Sequence, residues 1–480
     1  MDEIRIGLDF GTHQTKICIC RIPDEGHGLP EYEFFKFVDQ KGKEQYFIPS
    51  VVQINKDNTL SYGYVDPNDE KEGLPLPRLE IKEPVEGKLL EEAQALYSKY
   101  SVGDELKTEG MEAIETMLRK KFEIDKEIFQ EHKEKVQAKY DEDMKAYKRE
   151  RNLFRYFKQA TFAEYPWDKN YDSKLLCVWY LAYIFFLLED MFPDGFAINM
   201  GVPTDDKSFQ KKRELGTQIL ISAIHLVEDV YENDLEKFLE EKIETLIKNT
   251  VIEDYSEEEK DSYWINIFPE AYASLIGLAT RGKLSEGMSI NADIGGGTTD
   301  ITFFVVRKRI VKIYKYWSIP RGLNYIADLS GFDYSEKDFV KNAHREIIDK
   351  FNRKKLEVVY NLERKLVEMV RERGILKTNL FKALNDRIVV YNGGGSTFPE
   401  LSTPISRFTD VKVANADLWA EEIVKDKNGV GKLFNLLTTA YGLSVCEDDR
   451  GVELCDLDNL LDPSSKEEKY GKDEIDKDVC

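Results

Sequence analysis

Apolar and polar positions alternate from residue 4 to residue 22, broken at Gly11–Gln14, the pattern of two strands joined by a tight hairpin. A second alternating pair covers about 46–64. From roughly 105 to 160 the period changes to the helical one, with aromatic and aliphatic residues spaced through Lys- and Glu-rich sequence, and long solvated helices are expected there. The apolar run Leu175–Leu188 reads as a buried helix, because it falls short of the roughly twenty residues that span a bilayer. It leads into a strand, GFAINMGVP, and then helical sequence from about 206 to 250. Another strand, turn and strand fill 289–306, helices fill 335–386, and a last strand ends in NGGGST. Strands alternating with helices predict an α/β fold.

At 480 residues and 42% hydrophobic content the chain can bury two sizeable cores. A formal net charge of -22 with no basic cluster argues against nucleic acid as a partner. The six cysteines form no Cys-x-x-Cys pair, and the opening MDEIRIGLDF has no basic and apolar leader, so a cytoplasmic protein with no membrane association is expected. Residues 447–480 hold thirteen acidic and five basic side chains, the composition of a disordered tail.

Three glycine turns carry the candidate chemistry. Phosphate groups need several backbone N–H donors aimed at them, and glycine lets the backbone come close. Gly295, Gly296 and Gly297 supply such a turn, Thr298 and Thr299 add hydroxyls, and Asp293 at the strand end suits the water shell of a magnesium ion. Asp9, Gly11, Thr12, His13, Gln14 and Thr15 repeat these parts 284 positions earlier. The third turn offers Gly393, Gly394, Gly395 and Ser396.

IGLDFGTHQT, DIGGGTTD and NGGGST resemble, in that order, the first phosphate, second phosphate and adenosine motifs of the actin, sugar-kinase and heat-shock ATPase superfamily. FIPSVV, IKEP, GVPTD, INIFPEAYASLIG and TTAYGLSV make the chain similar to the nucleotide-binding domain of the heat-shock-70, DnaK-type chaperones. The resemblance spans about residues 4–446. It implies a two-lobed actin-like ATPase built of duplicated ribonuclease-H-like domains, with lobe I at 1–205, carrying a charged helical insertion at about 105–160, and lobe II at 206–446. It implies ATP or ADP with Mg2+ in the interlobe cleft, the metal held through waters by Asp9 and Asp293. The catalytic set would be Lys82, Glu270, Asp293 and Thr298, with Pro203 as the family's proline switch.

Several positions depart from the chaperone pattern. His13 stands where threonine is usual, Ala271 replaces a proline, and the arginine after the adenosine glycines is absent, leaving Phe398 as a stacking surface for adenine. No peptide-binding β-sandwich follows residue 446, although VELCDLDNLLDP resembles the chaperones' interdomain linker. The resemblance therefore implies a slow ATPase acting as a conformational switch on a protein partner. A filament-forming actin-like ATPase is the alternative, and a small-molecule kinase is disfavoured for want of a sugar-kinase signature.

Overall fold

The computed structural model describes residues 3–23, 29–66, 152–332, 338–414, 430–445 and 451–461, apart from 164, 168, 280–283 and 386, together with scattered positions between 116 and 142. Lys71–Asn152 with Asp168–Asn170 form one compact unit and the rest of the chain forms the other, which is described below. Lys82 and nearly all of the expected helical insertion lie outside the described residues.

The fold is mixed α/β. The expected hairpin is present as β1 (Glu3–Phe10) and β2 (Gln14–Ile22), and β3 (Glu31–Phe34) continues the antiparallel run. On the other side β4 (Ala197–Val202) pairs parallel with β1, and β5 (Ile265–Pro269) pairs parallel with β4. The strand order is thus β5-β4-β1-β2-β3. Four strands of the second sheet repeat this order: β6 (Gly287–Ile294), β7 (Thr299–Arg307) and β8 (Ile310–Ile319) are antiparallel neighbours, and β9 (Ile388–Asn392) lies parallel to β6. The parallel strand β10 (Asp410–Val413) completes it. β5, which follows residue 205, belongs to the first sheet.

Helices cover these sheets. α1 (Phe157–Phe162) and α2 (Ser173–Glu189) pack on one another beside the first sheet, and α2 is buried along most of its length, as its all-round apolar sequence requires. Asp172 caps it by accepting from the Lys174 amide at 2.9 Å. α3 (Phe209–His225) follows β4 and packs on α2. α5 (Leu323–Ser330) and the amphipathic α6 (Arg345–Glu372) cover the second sheet. Between the sheets α4 (Glu270–Ala279) and α7 (Phe434–Ser444) cross so closely that a Cβ on Gly442 would collide with the Ala273 carbonyl. Only glycine permits that backbone contact.

The C-terminal segment corrects an expectation. Residues 451–461 are built into the second half: β11 (Val452–Leu454) pairs parallel with the start of β8, and Leu457, Leu460 and Leu461 are buried in the second core. Acidic composition concealed this, since the few apolar residues are spaced to cover one exposed strand edge and one gap in the core.

Candidate functional site

The hairpin registers bring the two repeated motifs into one cleft. Asp9 lies opposite Lys16 across β1 and β2, and Asp293 lies opposite Asp300 across β6 and β7. The turns are closed alike: the Gly11 amide donates to the Gln14 carbonyl at 3.2 Å and the Gly295 amide to the Thr298 carbonyl at 2.9 Å. Ser50, from the FIPSVV segment, braces the first turn by donating to the Gly11 carbonyl at 2.6 Å. The start of α5 braces the second, with the Leu323 and Asn324 amides donating to the Gly295 and Gly296 carbonyls.

The expected residues divide as follows. Asp9, Gly11, Thr12, His13, Gln14, Glu270, Asp293, Gly295, Gly296, Gly297 and Thr298 line this one cleft, and so do Gly393 and Gly394. Gly393 is required as glycine: its φ is +77°, and a Cβ there would collide with Asp293 Oδ1. Its amide donates to the Asn435 carbonyl at 2.7 Å, tying the third turn to the start of α7. Gly395 and Ser396 are buried behind it. Phe398 lies against the second core, edge-on to Phe339 at 5.8 Å, and does not line the cleft, so the expected adenine-stacking surface is not provided by this side chain. Pro203 is buried directly after β4, and its carbonyl accepts from Lys212 Nζ at 2.8 Å.

Several contributors were missed. Lys158, from α1, enters the cleft and forms a buried ion pair with Glu270 Oε1. Lys16 pairs with Asp9 Oδ2 at 2.9 Å, and Thr298 donates to Asp300 Oδ2 at 2.9 Å. Gln159, fully inside the protein, donates to the Gly297 carbonyl at 2.7 Å and accepts from Asn324, fastening the second glycine turn to α1. Lys16 and Asp300 were readable from the hairpin registers, because each faces the aspartate that the motif identifies. No local sequence signal marks Lys158 or Gln159.

Four carboxylates, Asp9, Glu270, Asp293 and Asp300, thus share the cleft with two ammonium groups. Burial and then the charges of Asp9 and Glu270 push the Asp293 carboxyl up to about 7, while Lys16 opposes them. Asp300 is raised by burial and by Glu270. The His13 imidazole lies edge-on to Tyr156 at 5.0 Å and packs on Gly296. It is pushed down to about 3 by burial and the nearby Arg155 and Lys16, against a backbone hydrogen bond to Gly296, so it is neutral at physiological pH. A surplus of buried carboxyls over ammonium groups, Asp293 and Asp300 being held towards their protonated forms, beside backbone cradles suited to anions is the setting in which a divalent cation can displace protons and join a phosphate to a protein. Among the described residues no three potential ligands converge to hold a metal directly.

The raised Asp293 carboxyl gives a pH dependence. Between about 4 and 7 the native protein keeps a proton that the unfolded chain, with an ordinary value of 3.8, has already released, so stability falls as pH rises through that window. The fall is expected to be of order 4 kcal/mol without divalent cation, at about 1.36 kcal/mol per unit. Urea melts of wild type and Asp293→Asn from pH 4 to 8 check this; parallel curves would remove Asp293 from the charge cluster.

Among the described residues no helix is long and apolar enough to cross a membrane. Compared with known proteins, the chain matches no protein-family model and no curated protein.

Proposed function

We propose that the protein is a magnesium-dependent ATPase of the heat-shock-70-like type within the actin-like superfamily, a two-lobed switch that binds ATP in this cleft and hydrolyses it slowly. The observation that carries the reading is the convergence of two hairpin turns closed by the same amide-to-carbonyl hydrogen bond three residues on, each preceded by an aspartate, on one cleft bordered by a third glycine turn.

The amides of the first two turns would cradle the β- and γ-phosphates, and Gly393 and Gly394 would border the adenosine end. The charge excess at Asp9 and Asp293 fits a magnesium ion held through its waters, which would neutralise phosphate charge. Hydrolysis adds water to the γ-phosphorus and breaks its bond to the β–γ bridging oxygen. In such transfers the protein contributes position and charge. Lys158, fixed by Glu270, is the described lysine that lines the cleft beside both phosphate turns while leaving Asp9 to Lys16, and it takes the part that the family resemblance gave to Lys82.

Connectivity supports a switch. α4 begins at Glu270 in the cleft, and its Tyr272 hydroxyl donates to the Val452 carbonyl of β11 at 3.4 Å. A nucleotide that prefers one position of Glu270 would therefore bear on the C-terminal strand, and through it on a protein partner in the cytoplasm.

Magnesium ATP at a hundredfold excess over its dissociation constant should stabilise the fold by about 2.7 kcal/mol, read as a thermal shift, with slow phosphate release. Asp293→Asn should lose the magnesium dependence of the shift. No shift with any nucleotide would sink the proposal.

A further inference from the structure

β4 and β5 run parallel and end at Val202 and Pro269, the latter directly before the cleft residue Glu270, so their first residues lie at the end of the sheet away from the nucleotide cleft. Two grooves open near there. One, of about 270 Å³, is lined by Phe185, Phe196, Tyr263 and Trp264, with Glu189 and Glu228 among them. The other, of about 790 Å³, is lined by Phe35, Phe37, Val38, Phe186 and Met191, and again by Glu189. Glu189, at the end of α2, lines both, so the two grooves adjoin at a carboxylate and are taken together as one trough with an acidic centre. Trp264 is 67% exposed, Val38 63% and Met191 47%. Scattered apolar residues on a surface need no explanation, but three such side chains along one trough mark a contact surface.

The acidic centre selects the occupant. Glu189 is raised by burial and then by Glu228, and Glu228 by burial and then by Asp229, with His225 opposing. His225 is itself held by Asp229 at 2.8 Å. The Tyr263 phenol is raised by burial and then by Asp229, Glu228, Tyr255 and Glu259. Lys36, beyond Glu189 in the second groove, is paired with Glu44. Among the described residues no lysine or arginine forms an ion pair with Glu189 or Glu228. Glu228 also sits in a π-helical turn, Leu226–Val230, of the kind that recurs at functional sites.

Aromatic faces beside uncompensated carboxylates attract a cation, and flanking apolar grooves accept hydrophobic side chains. We propose that this trough docks an extended, basic and amphipathic segment of a partner protein, with a lysine or arginine over Glu189 and Glu228 and apolar side chains in the grooves on either side. The net charge of -22 favours approach of such a segment, and the acidic centre disfavours an anionic lipid surface. The inference stands independently of the nucleotide reading.

The test is fluorescence anisotropy with a labelled synthetic peptide alternating leucine and lysine, against serine–lysine and leucine–glutamate controls, on the full chain. Leucine–lysine should bind, and each control should be weaker by about tenfold or more. Trp264→Ala, and separately Glu189→Gln with Glu228→Gln, should weaken it to a similar extent. Glu357→Gln, on the exposed face of α6, should leave it unchanged. Equal binding by all variants would show that the peptide reads only overall charge and would overturn the proposal. So would no binding by wild type, preferential binding of phosphatidylserine vesicles, or self-association in sedimentation that Trp264→Ala abolishes.

Discussion

Lys158→Met is expected to slow ATP hydrolysis by about a hundredfold while leaving nucleotide binding nearly intact, the size of effect that follows removal of one fixed charge from a phosphoryl-transfer site. It should also destabilise the nucleotide-free protein by about 3–5 kcal/mol, because it leaves the Glu270 carboxylate buried without its partner beside three other carboxylates. The Lys158 and Glu270 side chains are only 4% and 12% exposed, so solvent cannot make good the loss. The Lys158 ammonium also lies 5.5 Å from the Phe10 ring centroid, which fixes it to the end of β1 and next to the first turn. Phosphate release at saturating ATP separates chemistry from binding, and urea melts give the stability. Adding Glu270→Gln should restore most of the stability and none of the rate. A Lys158→Met protein that turns over at the wild-type rate would return the catalytic part to another residue, Lys82 included.

The same lysine shows where sequence reading stops. Asp9 and Asp293 were legible because a strand, an aspartate and a glycine turn form a local unit whose hydrogen bonding is settled within six residues. Lys16 and Asp300 were missed, although the register of each hairpin places them opposite those aspartates. Lys158 belongs to Phe-Lys-Gln-Ala-Thr-Phe, where aromatic spacing identifies a helix but not the direction of its polar face. That direction is set by tertiary contacts, chiefly Phe157 against Phe10 and Tyr180 and Gln159 against Gly297. Phe398 shows the converse: its place after a glycine turn suggested a ligand surface, and Phe339, distant in sequence, holds it on the second core. His13 stands in the first glycine turn, where its sequence position does not fix its protonation state. Burial and two cationic neighbours leave the neutral form, a result that depends on Arg155, remote along the chain. The first sheet's extension to β5 was hidden for a topological reason, since a parallel strand is recruited through a long crossover and announces no pairing partner locally.

Leu460→Ala should destabilise the protein by about 2–5 kcal/mol, the cost of emptying a buried leucine site, although it lies in a segment whose composition reads as a solvated tail. Leu460 is 3% exposed and packs with Leu457 and Leu461 into the second core. The segment is fastened as well as buried: Arg373, at the end of α6, donates to the Leu461 and Asp458 carbonyls at 2.9 and 3.1 Å, and Lys365 pairs with Asp458. Leu454→Ala is the internal control, because Leu454 is 54% exposed on β11 and its loss should be nearly neutral. Truncation after Cys446 should cost more than Leu460→Ala, since it also uncovers the edge of β8 at Val311–Ile313. Within the switch reading this burial has a further consequence. Tyr272 joins β11 to the helix that begins at Glu270, so truncation should change the nucleotide response as well as the stability. Urea midpoints for the two leucine variants, with and without magnesium ATP, decide the matter. If Leu460→Ala and Leu454→Ala unfold at the same urea concentration, the C-terminal segment is not part of the second core and carries no signal from the cleft.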